Sequence, residues 1–165
     1  LRRIATIDAS PLINLAHLGL AGEVQRYFDR VLVPRAVQRE VNRKGRFRTR
    51  LNRLLQGPCY ERCATSDEWN VNLLRNRLDP GEAEALIQAQ ERGALYFIGD
   101  ERRARQTAEL LPIRPVGTLR LLARLHLEGR ADELPQLVQR LQRDLGFRVG
   151  QELVQQAIEL ADQPI

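Results

Sequence analysis

Short apolar runs alternate with helix-like stretches along most of the chain, and this alternation constrains the fold more than any other feature. Ile4-Ala5-Thr6-Ile7, Val31-Leu32-Val33 and Leu95-Tyr96-Phe97-Ile98 have the length and composition of buried strands. Ile113–Val116 is a fourth such run, and the proline inside it, Pro115, restricts it to a sheet edge. Helix signals fill the intervals. Ser10-Pro11 pairs a good N-cap with a residue tolerated at the first helical position, and Gly19 ends that helix. Pro34 opens a helix to about Lys44, and Asp79-Pro80-Gly81-Glu82 opens one to about Arg92. Further helices are expected over 20–28, 67–77, 101–111, 118–128, 134–144 and 150–161. Residues 45–66 follow no single period; they read as a helix extension or an arm, broken by Pro58. Strands separated by helices form a parallel sheet covered on both faces, an α/β fold. In such sheets the binding crevice lies beyond the carboxyl ends of the strands.

The chain has 165 residues, enough for one domain that buries about 70% of its unfolded surface without disulfides. No apolar run approaches the ~20 residues of a membrane helix. Leu1-Arg2-Arg3 leads directly into a strand pattern with no signal peptide, so a cytoplasmic location is expected. The two cysteines, Cys59 and Cys63, have no second pair, and both histidines lie far off in sequence. Two partly buried thiols fit that arrangement better than a zinc site. The net charge is +5 and comes from arginine, Lys44 being the only lysine. Such a surface attracts nucleic acid, acidic proteins or acidic lipid. The basic residues concentrate in Arg39, Arg43, Lys44, Arg46, Arg48, Arg50 and Arg53, with Glu40 as the only acid among them. That segment is a candidate nucleic-acid-binding stretch. It also reads as a solvated basic surface or as a face for an acidic partner.

Four carboxylates stand where a surface acid does not belong. Asp8 ends the first strand and Asp100 follows the third. At 100° per residue, Glu40 falls at about 40° from Ala36, inside the arc of Val37 and Val41. Glu82 similarly shares the arc of Leu86 and Ala89, whereas Glu84, at about 200°, lies outside it. An unpaired buried carboxylate is very costly, so each needs a hydrogen bond, a proton or a cation. Each also has a structural reading. Asp8 and Asp100 suit turn or cap positions, Glu40 suits a salt bridge, and Asp79-x-x-Glu82 has capping-box spacing. Taken together, the four suggest a cluster that binds a hard divalent metal. Glu84 and Glu101 are possible secondary acids. Other chemistries lack their motifs. There is no G-x-S-x-G, P-loop or G-x-G-x-x-G, and neither histidine sits in a motif.

The order of motifs resembles the PIN-domain family of nucleases. Ile7-Asp8-Ala9-Ser10-Pro11-Leu12-Ile13 looks like the family's opening strand and acid. Val33-Pro34-x-x-Val37-x-x-Glu40-Val41 looks like its second motif, Leu78-Asp79-x-Gly81-Glu82-Ala83-Glu84-Ala85 its third, and Ile98-Gly99-Asp100-Glu101-x-x-Ala104-Arg105 its fourth. Gly117-Thr118-Leu119 and Gly129 fit a prokaryotic subgroup, related to VapC-type toxins, that was long classed as a domain of unknown function. The motifs span roughly residues 4–130 of one PIN-like domain, 1–165, with a helical extension over about 131–165.

The resemblance implies a three-layer α/β/α fold on a central, mainly parallel sheet. It further implies a nuclease dependent on Mg²⁺ or Mn²⁺, usually acting on RNA. Asp8, Glu40, Glu82 and Asp100 would hold the metal and Ser10 would assist them. A homodimer, and an antitoxin protein as partner of a toxin, belong to the same implication. Two positions depart from the family pattern. The third acid is Glu where many members have Asp, one methylene longer, and the fourth motif reads Asp-Glu in place of Asp-Asp. The competing class is a weak or inactive PIN-like module that binds RNA or a partner protein without cleaving. Haloacid-dehalogenase-like phosphatases need D-x-D after the first strand, where this chain has Asp8-Ala9-Ser10. Response-regulator receivers need a late lysine that is absent.

Overall fold

A computed structural model describes residues 2–45 and 48–165. In chain order the strands are β1 (Ile4–Ile7), β2 (Arg30–Pro34), β3 (Tyr60–Cys63), β4 (Tyr96–Ile98) and β5 (Arg114–Val116). They form one sheet in the order β3-β2-β1-β4-β5, and every pairing is parallel. The helices are α1 (Ala9–Leu18), α2 (Arg35–Arg43), α3 (Arg48–Leu54), α4 (Glu68–Leu74), α5 (Pro80–Arg92), α6 (Arg102–Leu110), α7 (Thr118–Leu127), α8 (Leu134–Leu145) and α9 (Gln151–Glu159). A 3-10 turn, Ala21–Arg26, links α1 to β2.

Strand alternation divides the core in two. Ala5 and Ile7 of β1, Val31 and Val33 of β2, and Tyr96 and Ile98 of β4 point to one face and pack with α1, α7 and α8. Phe97 points to the other and packs with α4, α5 and α6. The result is the expected three-layer α/β/α arrangement. Leu86 of α5 and Phe97 are fully buried, so truncating either to alanine should cost about 2–5 kcal/mol. Among the described residues no helix is long and apolar enough to cross a membrane.

Two assignments need correction. The unassigned segment 45–66 contains both α3 and the edge strand β3. β3 escapes a hydrophobicity reading because its middle residues are Glu61 and Arg62, and Glu61 pairs with Arg30 on the neighbouring strand. The first helix begins at Ala9, with Asp8 at the N-cap position and Ser10 inside the helix. Ser10 is therefore not the cap, and its side chain is exposed. Pro115 lies in the edge strand β5, where its missing N–H removes no hydrogen bond from an interior strand.

Candidate active site

The sheet order fixes where a site can form. From β1 the chain builds outward through β2 and β3, then returns to the other side of β1 to lay down β4 and β5. The switch in direction falls between β1 and β4, and crevices in parallel sheets open at that point. Asp8 follows β1 and Asp100 follows β4, so they flank the switch from either side. The Asp8 N–H still donates to the Ile98 carbonyl at 2.9 Å, which keeps the two strand ends in register to their last residues.

α5 brings the third acid. Gly81, in its first turn, lies so close that a Cβ placed there would sit 2.9 Å from Asp8 Oδ1 and 3.1 Å from Val37 Cγ2. Only glycine lets the helix N-terminus approach the strand end this closely. The same ideal Cβ would be 3.9 Å from Glu40 Oε2, so α2, α5 and β1 converge on one spot. Glu82 follows immediately and is 4% exposed. Its carboxylate accepts a hydrogen bond from the Asp79 N–H at 3.0 Å, half of a capping box. Capping and proximity to Asp8 therefore coexist in one side chain. Glu84 faces elsewhere. It accepts the Ala36 N–H at 2.7 Å and an Arg39 N–H at 3.1 Å, so it ties α5 to the start of α2.

Asp8 is 8% exposed. Burial, then the charges of Glu82, Glu40 and Asp100, push its carboxyl from 3.8 up to about 7, against a lowering hydrogen bond from the Ala9 N–H. The Glu82 carboxyl is also raised, first by burial and then by Asp79, Glu101 and Glu40, while the bond from Asp79 opposes the rise. Asp100 is raised by burial as well. It is partly compensated by Thr118, whose N–H and hydroxyl donate to its two oxygens at 2.7 and 2.6 Å, and by the charge of Arg105. Glu40 is half-exposed and pairs with Lys44 at 3.4 Å, a surface contact worth about 0.5 kcal/mol at most. Glu101 is exposed at the N-cap of α6 and acts on Glu82 and Asp100 through its charge.

A cleft of about 430 Å³ opens over Asp8 and Asp100, lined also by Ser10 and Asn14 of α1 and by Arg148. Asn14 is a polar group of this region that pattern reading did not single out, and Thr118 was named only within the Gly117-Thr118-Leu119 motif, with no role at the site. Asn14 lies one turn beyond Ser10, between Ile13 and Leu15 on a mainly apolar helix, and is buried, a detectable signal. Thr118 comes just after β5, much as Asp8 comes after β1, and is fully buried.

The described residues of the basic segment are spread over α2 and α3, and Lys44 reaches one of the four acids, Glu40. Arg39 and Lys44 are engaged with Glu84 and Glu40. Arg50 donates to the Ala16 carbonyl at 3.2 Å, at the far end of α1. The ten residues of α1 put that end about 15 Å from Asp8. Arg53 lines the same distant hollow as Arg50. Arg43 and Arg48 are exposed, and Arg46 lies outside the described residues.

A PIN-domain family model matches residues 4–163. The chain belongs to the PIN-domain family. Among solved structures it is similar to a PilT N-terminus domain protein from the hyperthermophilic archaeon Sulfolobus solfataricus P2. The TM-score is 0.51 at 19% identity, over 73% of this chain and 91% of that one, a likeness of fold. No match was found among curated proteins.

PIN domains are generally nucleases that use divalent metal ions. The donors in this PIN domain suit such an ion. Carboxylate oxygens are hard ligands, and Asp8 is buried among three other acids with no cation among the main charges acting on it. Among the described residues no three acidic, histidine or cysteine side chains form a closed ligand set.

Proposed function

We propose that this PIN domain is a divalent-metal-dependent nuclease that hydrolyses RNA phosphodiesters. The observation that carries the reading is Asp8, buried at the switch point with Glu40, Glu82 and Asp100 acting on it and its carboxyl raised to about 7. A structural acid is normally paired or hydrogen-bonded into a lowered pKa; this one is held at a cost that only a proton or a cation relieves.

In this reading Asp8, Glu40, Glu82 and Asp100 hold Mg²⁺ or Mn²⁺. The bound ion would supply charge neutralisation at a phosphate and a lowered pKa for a water. The chain's own residues do the remainder. Thr118 fixes both oxygens of Asp100. The Asp79 N–H orients Glu82. Ser10 and Asn14 present polar groups to the cleft in which a phosphate and a water would lie. Arg148, which lines the same cleft, offers a cation for the phosphate.

The test is incubation with a mixed set of short synthetic RNAs in Mg²⁺, Mn²⁺ or EDTA. Cleavage is expected with metal and not with EDTA, and Asp8→Asn is expected to abolish it. Cleavage that persists in EDTA, or in Asp8→Asn at the parent rate, would show that the acids are not the site.

A further inference from the structure

Gly117 follows β5 and stands at the N-cap of α7 with φ −88° and ψ 162°, a backbone conformation open to any residue. Its lack of a side chain therefore has another cause. A Cβ at this position would lie 3.1 Å from Nη1 of Arg105 and 3.4 Å from Oδ1 of Asp100. The glycine leaves room for a guanidinium that comes from α6, one turn into that helix, and lies beside the carboxylate that follows β4. On general grounds this is a poor place for a cation. α7 begins at Gly117 and α6 only one turn before Arg105, and the positive ends of helix dipoles disfavour a guanidinium. Arg105 is exposed, and no hydrogen bond or ion pair to its side chain occurs among the described residues, so it ties no part of the framework together. What its charge acts on is Asp100. That carboxylate already accepts the Thr118 N–H and hydroxyl at 2.7 and 2.6 Å. Arg105 adds a full charge without closing to a direct ion pair. Asp8 has no cation among the main charges acting on it. The two strand-end acids thus differ: one is uncompensated, and the other carries its own counter-charge.

We propose that Arg105 is a positioning residue of the acidic site, the standing counter-ion of Asp100, which steadies that carboxylate in the metal-free protein and in return weakens the site's hold on a metal ion. The second half rests on the metal-dependent reading of the acids; the first half does not. One field produces both effects. A positive charge that favours an anion before a cation arrives opposes the cation when it comes, because like charges at short range repel. Gly117 sets the strength of this opposition by fixing how near the guanidinium comes. An exposed arginine that held a substrate phosphate would behave differently: its loss would weaken substrate binding and leave metal affinity as it was. A framework arginine would differ again, because its loss would cost stability whatever occupied position 100.

The experiment has two arms, both at pH 8. In EDTA, thermal melts followed by circular dichroism compare the parent, Arg105→Gln, Asp100→Asn and the double variant as a cycle. Arg105→Gln is expected to lower the melting temperature by about 2 °C where Asp100 is present and not at all beside Asp100→Asn. The loss should fade as KCl is raised. In the second arm, calorimetric titration with Mn²⁺ at low salt is expected to show Arg105→Gln binding the ion about three- to tenfold more tightly than the parent. Arg105→Lys, which keeps the charge, should stay close to the parent. Gly117→Ala, which displaces the guanidinium, should shift affinity in the same direction as Arg105→Gln and add nothing to it in the double variant. The proposal is overturned if the cycle shows no coupling, if the parent and Arg105→Gln bind Mn²⁺ alike, or if the only change in Arg105→Gln is a raised KM for RNA, which would make it a phosphate contact. The two readings separate. Coupling between Arg105 and Asp100 in a chain that takes up no Mn²⁺ keeps the counter-ion and removes the metal together with the nuclease. Metal-dependent cleavage with no coupling and equal affinities does the reverse.

Discussion

Replacing Asp8 with asparagine should stabilise the metal-free protein, and by an amount that depends on pH. The carboxyl titrates near 3.8 when unfolded and at about 7 in the fold. Between those values the folded state holds a proton that the unfolded state has lost, so stability falls as pH rises through this window. Above about 7 the penalty is complete. At about 1.36 kcal/mol per pH unit, the gap amounts to about 4 kcal/mol. The asparagine carries no charge and escapes it, yet retains an oxygen for the Ala9 N–H. At pH 8 in EDTA the Asp8→Asn protein should therefore melt about 10 °C above the parent, at a few degrees per kcal/mol for this chain length. Below pH 4 the two should coincide. Far-UV circular dichroism is the suitable probe, because the single tryptophan, Trp69, is 80% exposed and its emission will barely report unfolding. Added Mg²⁺ or Mn²⁺ should close the gap from the parent's side only, by about 2.7 kcal/mol at a hundredfold excess over Kd. A variant no more stable than the parent at pH 8, or a difference that does not grow between pH 4 and 7, would refute the claim that burial and like charge raise Asp8.

Two further outcomes follow from the hydrogen bonds. Thr118→Val removes the hydroxyl on Asp100 but keeps the N–H; calorimetric titration with Mn²⁺ should show half-maximal affinity moved to higher pH, with a stability loss of about 1.5–3 kcal/mol at neutral pH. Glu82→Gln should weaken metal affinity and cleavage while retaining its capping oxygen, whereas Glu84→Gln should cleave like the parent and lose about 1 kcal/mol through the Arg39 contact. The opposite ranking in a paired cleavage and urea-denaturation assay would show that the two acids have been assigned to the wrong faces of α5.

Much of the fold is legible in the sequence because the strand runs are short, apolar and separated by well-signalled helices. Leu95–Ile98 and Ile4–Ile7 need no tertiary knowledge to be read as buried strands. Tyr60–Cys63 does, because half of an edge strand faces solvent and its Arg30–Glu61 pair is visible only once β2 is beside it. Helical phase orients Glu82 and Glu84 differently on α5, and they do face different neighbours. Phase says nothing of Gly81, whose role is set by the distance between two elements remote in sequence. The start of α1 shows the limit of capping rules. Ser10-Pro11 is a good start signal, yet the helix begins earlier at Ala9, because the backbone leaves β1 at Asp8. Charge density along the chain does not say where the charges lie in space. The run Arg39–Arg53 is dense in sequence but divides in space between α2's acid partners and the far end of α1, whereas the arginines near Asp100 come from four separate segments.

The central position of β1 has a consequence for how the molecule comes into being. Its two neighbours are β2 and β4, and the second is not synthesised until residues 96–98. Until then a growing chain can form only the half-sheet β3-β2-β1, with one edge of β1 open to the solvent or to another chain. Asp100 follows, and its Thr118 clamp arrives later still. Contacts so distant along the chain are slow to close, and domains of this topology tend to complete themselves only when most of the polypeptide is available. A nascent or truncated chain that stops before α7 thus carries all four acids but lacks the clamp that holds the last of them.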